Sequence, residues 1–246
     1  MRMSGSVAGT GRTLDIYSIK ARWSPIFLVV LPLLLLCVAL IPSLPAWHKL
    51  WPLLAGGGVI VLIDQLGRDA GKRLQPALWT SWGGAPTTVA LRHRDTANPV
   101  LLHRRHEQLR AITGLVLPTE AEERAAPVAA DHVYEAATAI LIARTRQRHR
   151  DFPLISVENR NYGFRRNMLG LRPWGMWLAS VAALAAAAGL AITLVGITKF
   201  SEGFLGAALA ISIVAFVIWW QAVTPDWVKR AAESYADRLL EAAESL

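Results

Sequence analysis

Four stretches of the chain contain no charged residue: Trp23–Trp47, Leu50–Ile63, Pro173–Thr198 and Gly203–Pro225. No other feature restricts the fold so strongly. Roughly 20 apolar helical residues cross a bilayer core, and the first, third and fourth stretches reach that length. An average soluble domain is roughly 25% charged. Here 18% of 246 residues are charged and 53% are hydrophobic, and the apolar residues come in blocks. The second stretch is short and by length alone would also suit a re-entrant helix. Extended to Leu66 it becomes long enough to span, with Asp64 and Gln65 at the water interface, where polar groups are tolerated.

Charge placement sets the expected orientation. Arg2, Arg12, Lys20 and Arg22 precede the first run, and residues 66–173 carry 17 Lys/Arg against 10 Asp/Glu. The two short loops on the other side hold only His48 and Lys49, then Lys199 and Glu202. The positive-inside rule therefore puts both termini and the middle region in the cytoplasm, and it argues against a second run that fails to cross. The first run is expected to be a retained anchor, since it exceeds the 7–15-residue apolar core of a signal peptide. Cys37 is the only cysteine, so no disulfide forms within one chain.

The expected fold is an all-α integral membrane protein with two transmembrane hairpins flanking a mainly helical cytoplasmic domain. Its parts are an N-terminal segment (1–22), hairpin one (23–66), a basic domain (67–172), hairpin two (173–224) and an amphipathic tail (225–246). Within the domain, Asn98-Pro99 and Gly114 frame a helix. Thr119 and Glu122 have capping-box spacing, Pro127 limits the helix they start, and Asp131 is expected to cap the next one. The basic helix after the second run is expected to break near Pro76 or at Gly83-Gly84. Trp79 and Trp82, three apart, suit either the membrane surface or the domain core. "TTVALR" (Thr87–Arg92), "LVLP" (Leu115–Pro118) and "PLISVE" (Pro153–Glu158) read as short strands. In the tail, Val228, Ala231, Ala232, Tyr235, Leu239 and Ala242 share one helical face, which suits docking on the domain or on a second copy.

Motifs for catalysis are weak. "GRDAGKR" (Gly67–Arg73) has three residues between its glycines and Lys-Arg in place of Lys-Ser/Thr, so it fails as a phosphate loop. His103 and His106 could share a helix face, but Arg104, Arg105 and Arg110 oppose a cation. Glu120, Glu122 and Glu123 are explained by capping. No nucleophile motif emerges, and neither an enzyme nor a cofactor is expected. The third run is rich in Ala and Gly, which suits close helix packing.

The arginines are the candidate site. Arg92, Arg94, Arg104, Arg105, Arg144, Arg146, Arg148, Arg165 and Arg166 could hold anionic lipid headgroups. A pocket for an anionic ligand such as a nucleotide or nucleic acid would also suit the guanidinium fork, although the low aromatic content argues against a broad single-strand-binding platform. A second candidate is "ENRNYGFRRNMLGLRPWG" (Glu158–Gly175). Asn159, Asn161, Tyr162 and Gly163 suggest a turn with a tight bend. Arg172 and Trp174 follow as interfacial residues. The stretch reads as a joint through which the domain would act on the membrane.

Through "GRDAGKRLQPALWTSWGGAPTTVALRHRD" and "FPLISVENRNYGFRRNMLGLRP" the chain resembles a group of bacterial four-span proteins. These share Trp-Gly-Gly-x-Pro-Thr and Tyr-Gly-Phe-Arg-Arg-Asn segments, and no established activity accompanies the resemblance. The layout is also similar to four-span effectors of anti-phage systems, an analogy of architecture alone. The resulting expectation is a non-enzymatic inner-membrane effector or sensor whose domain binds an anionic signal or partner. It is expected to form homo-oligomers. The alternative is a passive scaffold that recruits a cytosolic protein through the tail helix.

Overall fold

A computed structural model describes residues 58–148 and 150–246, together with several helical positions between Val29 and Leu40. The N-terminal segment, Tyr17, Trp23 and most of the first two uncharged runs lie outside the described residues, as does the side chain of Asp64. The fold is all-α. Its helices are α1 (Gly58–Ser81), α2 (Pro86–Val89), α3 (Pro99–Thr113), α4 (Glu120–Ala125), α5 (Pro127–Gln147), α6 (Pro153–Leu194), α7 (Glu202–Gln221) and α8 (Pro225–Glu241), closed by a 3-10 turn.

α6 organises the molecule. Its 42 residues make a rod about 63 Å long at 1.5 Å per residue, and Pro173 lies inside it without ending it. α7 returns antiparallel along one half of α6, and α8 continues along the other half. α1 packs antiparallel on α6 as well, with Gly67 against Leu171 and Gly71 against Asn167.

α6 and α7 are each long and apolar enough to cross a membrane, by length and composition. Only 22% of each apolar window is buried, whereas the core helix of a soluble protein would be mostly buried. Leu184, Leu194, Phe204 and Val214 are all exposed. The inner face is built from small residues. Ala179, Ala182 and Ala186 are fully buried, and Ala182 and Ala186 cluster with Leu36, Leu205 and Ala208. Gly175 seats the buried Trp219 ring, leaving no room for a Cβ.

Beyond this apolar half, two further clusters fill the domain. One joins Leu78, Tyr162, Met168, Leu171, Trp219, Val228 and Ala232. The other joins Leu91, Leu109, Tyr134, Leu141, Leu239 and Leu240. The tail spans both, so its apolar face docks on its own domain. Val228, Ala231, Ala232, Leu239 and Ala242 are buried and Tyr235 is half-buried.

Local helix signals give the expected ends. Asn98 Oδ1 accepts from the Leu101 N–H at 3.1 Å, and Gly114 ends α3 at φ 72°. Thr119 and Glu122 form the reciprocal capping box. Three expectations are corrected, and of the two break points expected for the basic helix the one at Gly83-Gly84 is found. The three strand-like pieces form no strand among the described residues. "TTVALR" opens inside α2, with Pro86 in its first turn, and "PLISVE" opens α6 from Pro153. α1 runs through Pro76 and breaks only at Gly83 and Gly84, where φ is 84° and 146°. Asp131 does not cap a helix: α5 begins at Pro127, and the Asp131 side chain is held by arginines. Finally, no bend occurs at Gly163, because Asn159–Gly163 lies within unbroken α6.

The Gly163 finding carries a prediction. Gly163 has helical backbone, and an added Cβ would meet nothing within 4 Å. Gly163→Ala is therefore expected to raise stability by about 0.5–1 kcal/mol, through the lower conformational freedom of alanine in the unfolded chain. Thermal unfolding in detergent would show it as a higher midpoint, and a lower one would count against a straight helix at this position.

Candidate functional site

The motif Glu158–Gly175 is decoded by helix periodicity. Tyr162, Arg166 and Gly170 recur every four residues and face α1. Arg165 and Arg172 lie on the side that meets α7 and α8. Arg166 donates to Gln75 Oε1 of α1, and its guanidinium lies 5.4 Å from the Tyr162 ring centre. The Trp79 indole N–H and the Tyr162 hydroxyl are buried in the same seam. On the opposite side, Arg165 donates to the Trp227 carbonyl at 3.0 Å and covers its ring at 5.0 Å. Phe164 meets Trp227 edge-on at 6.3 Å. Arg172 donates at 2.9 Å to the carbonyl of Trp220, in the last turn of α7, where carbonyls lack intrahelical partners. Tyr162, Phe164, Arg165 and Arg166 thus lock α6 between two neighbours. Asn159 is exposed, Asn161 reaches only Glu158 at 3.4 Å, and Trp174 is exposed beside Trp177.

The seam is close because it is made of glycine. A Cβ on Gly170 would lie 2.7 Å from the Gly71 nitrogen and 2.8 Å from the Ala70 carbonyl carbon. "GRDAG" is therefore a helix-crossing element. Its small-x-x-x-small spacing is the signal that could have found it.

Arg92 and Arg94 are committed elsewhere. Arg92 is buried and grips Asp131 with two bonds, Nε to Oδ1 at 2.8 Å and Nη2 to Oδ2 at 2.7 Å. Its Nη1 donates to Asp95 at 3.0 Å and to the Gly83 carbonyl at 2.8 Å. Arg94 bridges Glu123 and Asp131. Glu123 is itself buried, and it accepts from the backbone N–H groups of His93 and Arg94 and from the Tyr134 hydroxyl. This knot joins the α1 break, the α2–α3 loop, α4 and α5. It consumes its own charges and presents no fork to a ligand.

The knot gives a pH dependence. Burial pushes the Glu123 carboxyl up, but its hydrogen bonds and the Arg94 charge outweigh that and hold it below the ordinary value of 4.5. Burial, opposed by the bond to the Leu91 carbonyl, leaves His106 below its ordinary 6.5. Both folded values are depressed, so both groups stabilise above their unfolded values. That stability is lost as pH falls through the folded ones. The melting midpoint is expected to fall as the pH is lowered from 7 toward 4. In Glu123→Gln the fall below pH 4.5 should be shallower, and an unchanged slope would contradict the assignment.

The remaining arginines divide in two. Arg104 pairs with Glu244 at 3.0 Å and Arg105 with Asp237 at 2.9 Å, tying α3 to the tail. Arg144 and Arg146 are exposed at the end of α5, and Arg148 is exposed with Asp151 at 2.9 Å. The nine arginines therefore do not converge. A groove of about 450 Å³ opens between α8 and the α2–α3 region, lined by Trp82, Pro86, Asn98, Leu101, Arg105 and Lys229 among others. Among the described residues, no three His, Cys, Asp or Glu side chains gather to hold a metal. Neither family models, curated proteins nor solved structures give a match to this chain.

Proposed function

We propose that the chain is a four-span protein of a bacterial inner membrane, with both termini cytoplasmic, acting as a non-enzymatic effector or sensor. The observation that carries this reading is α6, one helix shared by an apolar half and a helical domain. Whatever reorients the domain must also move the apolar half of that rod. Arg165 and Arg172 fasten α8 and α7 to it from the domain side. The apolar lengths support a bilayer. Pro173–Leu194 and the 20 residues of α7 each rise about 30 Å, the thickness of a hydrocarbon core. Val29 belongs to the cluster at the domain end, and Leu40 approaches Gly189 deep in the apolar half. Between Val29 and Leu40 the first run thus leads away from the domain's side, which supports a cytoplasmic N-terminus.

The effector reading is tested by entry of a membrane-impermeant dye into cells expressing the protein, with and without phage infection. Wild type is expected to admit dye. Arg165→Glu, which loses both contacts to Trp227, should admit at least several-fold less at equal membrane abundance. No dye entry under any condition would sink the effector reading. The scaffold alternative is weakened by the tail, whose apolar face is already covered by its own domain.

A further inference from the structure

The arginines of the α5–α6 turn stand far from the apolar half. From Arg172 back to Pro153 is 19 helical residues, a rise of about 29 Å. The end of α5 lies at that distal level. The Arg148 guanidinium sits 5.7 Å from the ring centre of Phe152, the residue before α6 begins, and Leu141 of α5 packs in one cluster with Ile155. Given the membrane reading, on which this inference rests, a strong helix tilt of about 40° still leaves the turn roughly 22 Å above Arg172. Headgroup charge is screened over about 8 Å at physiological salt. These arginines therefore do not serve the bilayer that holds the protein.

Arg144, Arg146, Arg148 and Arg150 are all exposed. Among the described residues, one carboxylate lies within 4 Å of the set, Asp151 beside Arg148. Four exposed guanidinium groups within seven residues ring the end of α5, Arg144 and Arg146 on either flank of buried Thr145, and their planar forks suit phosphate. An acidic protein would need more than charge, since protein interfaces have an apolar or aromatic centre. Around this turn the exposed large apolar residue is Leu154, and Phe152 is partly covered. Among the described residues of the turn no fully exposed aromatic ring stands free to stack bases, so contact would be with the backbone, not the sequence.

We propose that the α5–α6 turn is a docking surface for the phosphate backbone of a cytoplasmic nucleic acid. The full-length protein, held in nanodiscs of zwitterionic lipid, would be titrated against a fluorescent 20-base-pair duplex and a 20-base single strand. The titrations would cover about 50 to 200 mM salt, the range over which phosphate contacts lose affinity steeply. The test variant is Arg144→Gln/Arg146→Gln/Arg150→Gln, which spares the Arg148–Asp151 pair and so the turn itself. Each neutralised phosphate contributes about 0.9 to the log–log salt slope on duplex, so the triple variant should flatten that slope by about 2.5. It should also lose at least tenfold in affinity at the lowest salt. Arg124→Gln, exposed just before the opposite end of 21-residue α5, should change neither by more than twofold.

The proposal is overturned by no binding of either probe at the lowest salt, by an unaltered slope in the triple variant, or by equal competition from polyglutamate of matched charge. The last would assign the surface to an acidic protein. Anionic lipid in the nanodisc should leave binding unchanged, and loss of binding there would place the turn on headgroups instead. Labelling of single cysteines from either side of the membrane tests the membrane reading separately. Binding lost with the expected topology intact removes only this proposal.

Discussion

Gly170→Leu is expected to force α1 off α6 and cost at least about 3 kcal/mol, the upper end of the overpacking range. The reason is what the new side chain would meet. Its Cβ falls 2.7 Å from the Gly71 nitrogen and 2.8 Å from the Ala70 carbonyl carbon. Backbone cannot rotate aside as a side chain can, so the two helices must separate. Separation would also pull Arg166 from Gln75 and open the buried seam around Trp79 and Tyr162. The neighbouring glycines supply a graded comparison. A Cβ on Gly71 meets Asn167 Oδ1 at 2.5 Å but also the Arg166 carbonyl at 3.1 Å, so alanine there should cost nearly as much as at Gly170. A Cβ on Gly67 meets only the Leu171 side chain, at 2.9 Å, which can change rotamer, so that cost should stay below about 1 kcal/mol. Alanine substitutions should therefore rank Gly163, Gly67, Gly71, Gly170 from mildest to most damaging. Thermal unfolding in detergent followed by far-UV circular dichroism reads this ranking as the order of the melting midpoints. Gly67 and Gly170 proving equally tolerant would contradict the crossing.

What was legible in the sequence was local. Asn98, Gly114, Thr119 and Glu122 act on backbone groups within four residues of themselves, so their spacing alone located helix ends. The tail's apolar face and the last two apolar runs were legible for a similar reason, since one helical period or one length decides them. What escaped depends on partners far along the chain. Arg92 and Asp131 are 39 residues apart, and nothing in "LRHRD" distinguishes a buried anchor from a solvated cation. Asp131 was misplaced as a cap because Asp before an apolar period is a good cap signal. Here Pro127 had already started the helix one turn earlier. Gly163 suggested a bend because glycine costs a helix about 1 kcal/mol. That penalty is small beside packing along both sides of a 42-residue helix.

The same contrast explains how the basic residues divide. Arginine count and exposure cannot be read together from sequence. The nine candidate arginines fall into groups with different chemistry. Arg92 and Arg94 neutralise buried or half-buried carboxylates. Arg165 holds a backbone carbonyl, as Arg172 of the joint does, and Arg166 holds an amide oxygen. Arg104 and Arg105 bind the tail. Arg144, Arg146 and Arg148 lie exposed at the end of α5. A charge count that treats these as one basic face overstates the surface available to any anion.

Arg92→Met should be among the most damaging single changes in the domain, at about 3–5 kcal/mol, the range for breaking a buried ion pair from one side. Methionine fills most of the volume but supplies none of the four contacts to Asp131, Asp95 and the Gly83 carbonyl. Asp131 would retain Arg94, at 3.1 Å from both of its oxygens, so it would not be left wholly unpaired. The Gly83 carbonyl and the turn at Gly84 have no such substitute. A Cβ on Gly84 would touch the Arg92 guanidinium at 2.7 Å, so the arginine is packed directly on the turn that ends α1. Arg92→Lys should recover only a minority of the loss, because one ammonium cannot grip both Asp131 oxygens and also reach Gly83. Arg92→Met/Asp131→Leu should be less harmful than the two single costs added, since removing both partners leaves fewer buried charges unmatched. Hydrogen exchange would localise the effect: protection should fall first at the N-terminal turns of α5 and around Gly83, while the apolar part of α6 keeps its protection. A loss below about 1 kcal/mol for Arg92→Met, or uniform loss of protection through α6, would mean that the knot does not hold α5 to the turn that ends α1.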